Sequence, residues 1–402
     1  MKIADFETFV VGNPPPSFGG RYFVFVKLVT NTGIVGYGEI YAATFSPQVI
    51  AQMASDIAER HVIGADPFRI EALFRTVYGA GFTHRPDVSV MGCFSGIEMA
   101  LWDIIGKAVG KPVHALLGGR VHEQLRTYTY IYPRTGDVYP DDDDPENPYT
   151  NPDKAAEFAA DLVAEGFTAV KFDPAGPYTV YDGHQPSLED IARSVTFVRK
   201  IREAVGDDAD ILFGTHGQFT ASGAIRLARQ IEPYDPLWFE EPVPPDNPEE
   251  MAKVARQTAI PISAGERLTT KVEFARLLEA GGASILQPNL GRCGGILEGK
   301  KIAALAETRH ALVAPHLYCG PIVAAANIQL AACSPNFLIL ESIEKMDGFH
   351  ADLLTTPLRW EDGCIIPSDE PGLGVELNED IARDNPWDGH LLHLTMGEEP
   401  LR

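Results

Sequence analysis

Short apolar runs alternate with amphipathic helical patterns from about residue 125 onward, over roughly 215 residues. This alternation constrains the fold most, because eight strand-helix units with parallel strands close into a (β/α)8 barrel. A doubly wound sheet is the competing arrangement, but no G-x-G-x-x-G motif follows a strand, and eight near-even repeats favour closure. The predicted strands are 125–132, 168–173, 210–214, 236–240, 261–266, 283–287, 311–316 and 337–341.

The first third of the chain has a different pattern, in which strand-like segments come first and helices follow. Such an order predicts an α+β capping domain. The tail, rich in Pro, Asp and Gly, is too long for a simple terminus, and we expect it to return to the cap. We therefore predict a capping domain at 1–124, a TIM-type barrel at 125–345 and a C-terminal segment at 346–402 that completes the cap.

Composition narrows the classes of partner. The net charge of −23 argues against nucleic acid and against an anionic membrane surface. Five cysteines without a CxxC pair, and a start that lacks the apolar core of a signal peptide, favour a cytoplasmic protein. The segment 310–340 contains no Asp, Glu, Lys or Arg, but prolines and amides interrupt it, so it is predicted to be buried core and not a membrane span.

A Pro- and Asp-rich segment, 133–152, separates the first predicted barrel strand from its helix. In a barrel this segment lies at the C-terminal mouth. Two interpretations stay open, a solvated surface loop and a lid over a site.

Polar side chains stand at the ends of seven successive predicted strands. In a barrel, the C-terminal ends of the strands carry the catalytic groups. Glu240 and Glu266, from adjacent strands, are the oxygen ligands that a hard cation such as Mg²⁺ takes. Alternatively, these glutamates pair with Arg267, Lys171 or another cation. The strand-end groups are Lys171 and Asp173, Thr215 and His216, Glu240, Glu266, Gln287 and Asn289, His316, and Glu341.

Several motifs agree in order and spacing with a known family. They are EEP at 240–242, GER at 265–267, QPN-x-x-x-x-GG at 287–295 and PH at 315–316, and ALWDIIGKAVGKPVHALLGG stands at 100–119. Together they resemble the enolase superfamily, and within it the mandelate racemase subgroup and the acid-sugar dehydratases of the galactonate dehydratase type. The resemblance covers almost the whole chain.

The resemblance implies a Mg²⁺ ion held by three carboxylates at the ends of the third, fourth and fifth barrel strands. The ion binds a substrate carboxylate, and a base removes the α-proton to give an enediolate. Loss of a β-hydroxyl then converts an acid sugar to a 2-keto-3-deoxy acid. An epimerase or racemase and a sugar-lactone cycloisomerase use the same enediolate and stay open, as does a metal-impaired barrel that binds a sugar acid without turnover.

The expected third metal ligand is missing. Glu266 follows Glu240 by 26 positions, and 26 positions before Glu240 stands Gly214, which has no side chain to offer. Either His216 takes the ligand's place, or Asp173 reaches in from the second strand, or the ligand is lost. Asp173 is the better Mg²⁺ donor, because imidazole nitrogen is softer.

The acid/base groups depart from the family as well. His316 resembles the general base of the subgroup, but Asn289 stands where its partner is usually an aspartate. An amide can orient the imidazole by accepting its N–H, but it adds no charge to stabilise an imidazolium. We therefore expect His316 to be the principal acid/base group, either as a weaker base than in relatives or mainly as the acid that protonates the leaving hydroxyl group. Lys171 and Asp173 stand where racemising members commonly carry two lysines, which favours dehydration. His216 matches a second histidine of galactonate-type dehydratases.

The remaining assignments concern the substrate. Glu341 resembles the carboxyl group that binds the substrate carboxylate, and such a group must be protonated or compensated. Lys171, Asn289, Arg21 and Tyr318 are further candidate contacts. We expect a small carboxylate substrate and a homo-oligomer, the common state of such barrels.

Overall fold

The computed structural model describes residues 1–42, 45–134, 136–176, 178–181, 183–389, 391–394 and 396–398. Its N-terminal part is a three-stranded antiparallel sheet, in the order β1-β2-β3, packed against helices. The strands are Ile3–Gly12 (β1), Tyr22–Thr30 (β2) and Val35–Ile40 (β3), and the helices are Pro47–Ile57 (α1), Ile70–Tyr78 (α2), Val88–Val109 (α3) and Val113–Leu116 (α4). The predicted α+β cap is thereby confirmed.

Helix α3 is the centre of the cap and shows how local sequence sets its ends. The side chain of Asp87 accepts hydrogen bonds from the backbone N–H groups of Ser89 and Val90 at its start. At its end, Gly110 adopts φ 65°, a left-handed conformation that glycine tolerates without strain. This helix is long and apolar enough to cross a membrane, but 78% of its apolar window is buried inside the protein, as expected for a core helix.

The barrel follows, and its eight parallel strands confirm the predicted architecture. Neighbouring strands pair in chain order from β4 to β10, and β11 pairs with β4. A bridge between Val313 and Phe337 joins the last two strands of the barrel, so the sheet is closed. The strands are Leu125–Tyr130 (β4), Ala169–Phe172 (β5), Asp210–Gly214 (β6), Trp238–Glu240 (β7), Ile262–Ala264 (β8), Ile285–Leu286 (β9), Leu312–Val313 (β10) and Leu340–Ser342 (β11).

Seven helices of the barrel cover the outside of this sheet. Several begin at residues that the sequence supplies as caps; Ser187, for example, forms a capping box with Asp190. The helix from Pro321 is buried at every position, which explains why the segment 310–340 is so apolar. The helices are Pro152–Ala164 (α5), Leu188–Val205 (α6), Ala221–Ile231 (α7), Pro248–Ala255 (α8), Thr270–Ala280 (α9), Ile296–Glu307 (α10) and Pro321–Ala332 (α11).

Two buried glutamates of the cap hold it against the barrel. Glu98 accepts hydrogen bonds from the N–H groups of Ile296 and Leu297, at the start of α10. Glu39 accepts from the N–H groups of Gly320 and Val323, at the start of α11. Each carboxyl group satisfies helix N-terminal donors that no residue of the helix can satisfy.

The C-terminal tail returns to the cap, as expected. It contains Phe349–Asp352 (α12), the hairpin strands Trp360–Glu361 (β12) and Cys364–Ile365 (β13), and Glu379–Asp384 (α13). Backbone hydrogen bonds join Gly12 to Asn385 and Trp387 to Val10, so the tail runs along β1. All five cysteines are free.

Candidate active site

The C-terminal strand ends bring the predicted polar residues together in one buried cluster. Lys171 lies at the centre: its Nζ donates to Oε1 of Glu240 at 2.6 Å and to Oε1 of Glu341 at 3.4 Å. The other oxygen of Glu240 accepts from Nε2 of Gln287 at 2.8 Å, and Oε2 of Glu341 accepts from the N–H of Leu317. Of the alternatives left open by the sequence, the structure thus shows Glu240 paired with Lys171.

Burial and charge set the protonation of this pair. Burial lowers the pKa of Lys171, but the charges of Glu240 and Glu341 outweigh it and raise the pKa well above its ordinary value. The side chain is therefore an ammonium. Burial also raises the pKa of Glu341, and Lys171 compensates only in part. A raised pKa is the direction that a group in contact with a substrate carboxylate needs, because it makes protonation of Glu341 easier.

Glu266 occupies the opposite side of the cluster. Its Oε2 lies 3.2 Å from Nε2 of His316, and its Oε1 lies 3.8 Å from Nε of Arg267. In the described part of the chain, Oε2 of Glu266 is buried without a hydrogen-bond partner. Burial favours its protonated form, but the positive groups around it outweigh this and lower its pKa, so Glu266 is a carboxylate.

His216 carries a carboxylate partner. Its Nδ1 lies 2.7 Å from Oδ2 of Asp173, and the hydroxyl of Tyr178 lies 2.7 Å from the same nitrogen. Burial lowers the pKa of His216, but the Asp173 hydrogen bond and the negative charges of Glu266 and Asp173 raise it to about 9. His216 also has φ 46°, a left-handed conformation rare outside glycine and often found at functional sites.

Asn289 is the hydrogen-bond partner of His316, and its amide acts as the donor and not as the acceptor. The backbone N–H of Gly291 donates to Oδ1 of Asn289, which turns Nδ2 of that amide toward Nδ1 of His316, 2.9 Å away. Because Nδ2 can only donate, Nδ1 of His316 accepts, and the neutral ring carries its proton on Nε2. The sequence instead predicts that Asn289 accepts an imidazole N–H. Burial lowers the pKa of His316 to about 4, so the ring is neutral near pH 7.

The donors do not form a complete divalent-metal site. Gly214 pairs with Glu240 in the β6–β7 register, so the third-ligand position is the glycine, with no shift of the strand. Asp173 faces His216, and both oxygens of Glu240 hold hydrogen bonds. Among the described residues, no three His, Cys, Asp or Glu side chains form a group that can hold a metal ion. The ligand set Glu240, Glu266 and Asp173 stays a prediction that these contacts do not favour.

Within the segment 133–152, Asp137 and Tyr139 contact the cap and the chain just after His316. Asp137 forms an ion pair with Arg21 of the cap at 2.5 Å, and the guanidinium of Arg21 stands over the ring of Tyr139. The hydroxyl of Tyr139 lies 3.0 Å from that of Tyr318, two residues beyond His316. Arg21 and Tyr318 are therefore engaged with this segment, and their role as substrate contacts stays a prediction.

Three residues near the site have no role assigned from the sequence, although Gln287 stands among the strand-end groups. Gln287 belongs to the QPN motif, so its signal was present. Tyr178 and His393 had none, because their positions depend on loops and on the tail. His393 stacks on Tyr22 with ring centroids 3.8 Å apart, and its backbone carbonyl accepts from Tyr139.

Comparison with known proteins agrees with this architecture. Residues 16–118 match the N-terminal domain of the mandelate racemase/muconate lactonizing enzymes, and residues 154–381 match the enolase C-terminal domain-like family. The D-galactonate dehydratase of Xanthomonas oryzae pv. oryzae is 36% identical over 383 residues, 91% of this chain and 92% of that protein. That of Verminephrobacter eiseniae is 34% identical over 394 residues, 96% of this chain and 95% of that protein.

Solved structures extend the similarity. A protein from Labrenzia alexandrii DFL-11 is 66% identical, with a TM-score of 0.95 over 99% of this chain and 100% of that one. A mandelate racemase/muconate lactonizing enzyme from Sulfitobacter sp. is 54% identical, with a TM-score of 0.95 over 100% of both chains. The chain is therefore an enzyme of the enolase superfamily, built from the two domains of its mandelate racemase/muconate lactonizing branch.

Proposed function

We propose that this enzyme is a hydro-lyase that converts an acid sugar to a 2-keto-3-deoxy acid by removing the α-proton and expelling the β-hydroxyl group. One observation carries the proposal: the Asp173–His216 pair, an imidazole with a carboxylate partner at 2.7 Å, shares the barrel mouth with the Lys171–Glu341 pair. The Asp173–His216 pair can transfer a proton, and the Lys171–Glu341 pair can bind a carboxylate. The D-galactonate dehydratases among the relatives support an acid sugar as the substrate class.

Binding of the substrate carboxylate falls to Lys171 and Glu341. The lysine supplies a buried positive charge, and Glu341, whose pKa burial raises, can supply an O–H donor once it takes up a proton. Both stabilise negative charge more strongly in a buried site than in water. His316 adds its Nε2–H group, because Asn289 holds the proton on that nitrogen. A neutral imidazole N–H is a known type of donor to a developing oxyanion.

Proton removal falls to His216. Its Nδ1–H donates to Asp173, so Nε2 is the nitrogen that exchanges a proton with the substrate. In its neutral form, His216 takes the α-proton, and the electron pair of the C–H bond moves into the carboxylate to give the enediolate. The imidazolium that forms is stabilised by Asp173, as a buried carboxylate does for a catalytic histidine.

Elimination completes the reaction. The enediolate electrons form the Cα–Cβ double bond, the Cβ–O bond breaks, and the hydroxyl group leaves as water with the proton carried by His216. The resulting enol takes a proton at Cβ, releases the proton of its hydroxyl group and becomes the 2-keto-3-deoxy acid. The net change is loss of one water, with no oxidant or reductant.

Enolase superfamily enzymes generally use Mg²⁺, which in such sites stabilises the enediolate. The donor set of this chain does not fit that ion, because the third ligand position is Gly214 and Glu240 is bound by Lys171 and Gln287. None of the steps above passes through a metal.

Screening mono- and diacid sugars with semicarbazide detection of 2-keto products tests the proposal. We expect turnover of at least one acid sugar, its loss in His216→Asn, and full activity in the control His310→Asn, which alters an exposed histidine. Incubation in D₂O separates the alternatives. Deuterium in recovered or epimerised substrate, without a 2-keto product, would replace dehydration by epimerisation or cycloisomerisation.

A further inference from the structure

We propose that the ammonium group of Lys171 takes the place of the divalent cation in this site, so that no metal ion binds between Glu240 and Glu266. The role given to this charge, stabilising the enediolate, rests on the proposed function. The position of this charge does not rest on the proposed function, because it follows from the contacts of Lys171 alone.

Gly214 occupies the position of the missing third ligand. It lies beside Glu240 in the β6–β7 register, where the family places a carboxylate. A Cβ atom at this position would lie 3.6 Å from Cε of Lys171 and 3.7 Å from Cβ of Asp173, which are ordinary contacts. A Cβ atom therefore fits at 214, and without a side chain there the lysine stem is the group alongside the ligand position.

Glu240 is the carboxylate on which a metal ion would have to bind. A metal ion on this carboxylate would lie beside the positive charge of Lys171, which is 2.6 Å from Oε1, while Oε2 holds Gln287 at 2.8 Å. Both partners are buried with it. A divalent ion must displace the ammonium group, and it then meets two carboxylates and a glycine. Such a ligand-poor oxygen site competes badly with hydration of Mg²⁺.

The ammonium group of Lys171 keeps one N–H donor for a substrate. An ammonium group has three N–H donors in a compact charge. Two of them are directed to Glu240 and Glu341, at 2.6 and 3.4 Å. The third is available to a substrate carboxylate, which Glu341 also reaches. The side chain thereby supplies the positive charge next to the reacting carboxylate that a metal supplies elsewhere in the superfamily.

Removing the ammonium group should open the site to metal. We expect the melting temperature of the wild type to be unchanged by 10 mM MgCl₂, and that of Lys171→Met, or of Lys171→Met with Gly214→Asp, to rise by about 2 °C or more. Isothermal titration calorimetry should show one Mg²⁺ per chain in the responsive variant only, and the further change Glu266→Gln should abolish it. The control Lys271→Met removes another lysine paired with a buried glutamate, Glu298, and should show no Mg²⁺ response.

Two results would overturn the proposal. One is stoichiometric Mg²⁺ in the wild type that is lost in Glu266→Gln. The other is a folded Lys171→Met variant that fails to bind Mg²⁺ with and without Gly214→Asp, because Lys171 would then not occupy a cation position. Should the lysine variants not fold, the wild-type titration decides alone. Since these readouts need no turnover, a failed substrate screen would leave the inference standing and remove only the proposed function.

Discussion

The amide of Asn289 donates to His316, with Nδ2 of the asparagine 2.9 Å from Nδ1 of the ring, while its Oδ1 accepts from the N–H of Gly291. This relationship reverses the polarity that an aspartate would impose. A carboxylate accepts a hydrogen bond from Nδ1–H and leaves Nε2 as a base, whereas this amide leaves Nε2 as a donor. The carboxylate partner of the site is found instead on His216.

Asn289→Asp should reverse this arrangement. A carboxylate at 289 adds an opposite charge beside the ring, so the pKa of His316 should rise from about 4 toward its ordinary value of about 6.5. Titration of the ¹⁵N-labelled imidazoles by NMR measures both the pKa and the tautomer. Asn31→Asp, at an exposed position of the cap, adds the same charge and should leave His316 unchanged.

Asp173→Asn should move the pH profile. Because the neutral form of His216 is the base, kcat/KM of the wild type should rise with pH until it levels near the His216 pKa of about 9. Without the Asp173 charge, burial dominates and the pKa falls, so the rise should occur at lower pH, and the plateau should drop about 100-fold or more. A rise at the same pH in the variant would contradict the role of His216. Asp210→Asn, at the other end of β6, is the control.

Tyr178→Phe should act through His216 and not on the substrate. It removes a hydroxyl group 2.7 Å from Nδ1 of the ring but leaves Asp173 in place. We expect kcat to fall by up to about tenfold, consistent with loss of one hydrogen bond, with KM unchanged. Tyr181→Phe, on an exposed side chain of the same loop, should have no effect. A change confined to KM would indicate a substrate contact.

Glu98→Ala should loosen the cap from the barrel. It leaves the N–H groups of Ile296 and Leu297 and the indole N–H of Trp102 without their buried acceptor. Each unsatisfied buried donor costs about 1–3 kcal/mol, so the free energy of unfolding should fall by at least about 2 kcal/mol. Urea denaturation measures it. Glu59→Ala, on an exposed side chain of the cap, should change it by less than about 0.5 kcal/mol.

The apolar pattern of residues 47–62 predicts one helix, and this segment shows what local patterns cannot resolve in the fold. It is α-helical only to Ile57 and continues as a π-helical turn, Ala58–Val62. Apolar spacing cannot distinguish these, because both bury one face. The strands were predicted in number and order, but β9 pairs only at Ile285–Leu286, against a predicted 283–287, since strand ends depend on neighbours.

The sequence identified the strand-end groups of the site, and it also showed that the third metal ligand is missing. Glu240, Glu266, His216 and His316 stand at the C-terminal ends of barrel strands because the alternation of strands and helices puts them there. Position 214 is a glycine whatever the packing. Two alternatives that the sequence left open for the glutamates, metal ligation and ion pairing, differ by a few ångströms, which spacing does not resolve.

The order of residues in this chain was enough to establish a capped barrel, a ring of polar strand ends and the absence of a carboxylate at 214. It did not establish which charge faces which. Lys171 meets Glu240 across 69 positions and Glu341 across 170, and Asn289 turns its nitrogen to His316 because of Gly291. Such pairings depend on hydrogen-bond distances and on the direction of single atoms, and these exist only once the barrel has closed.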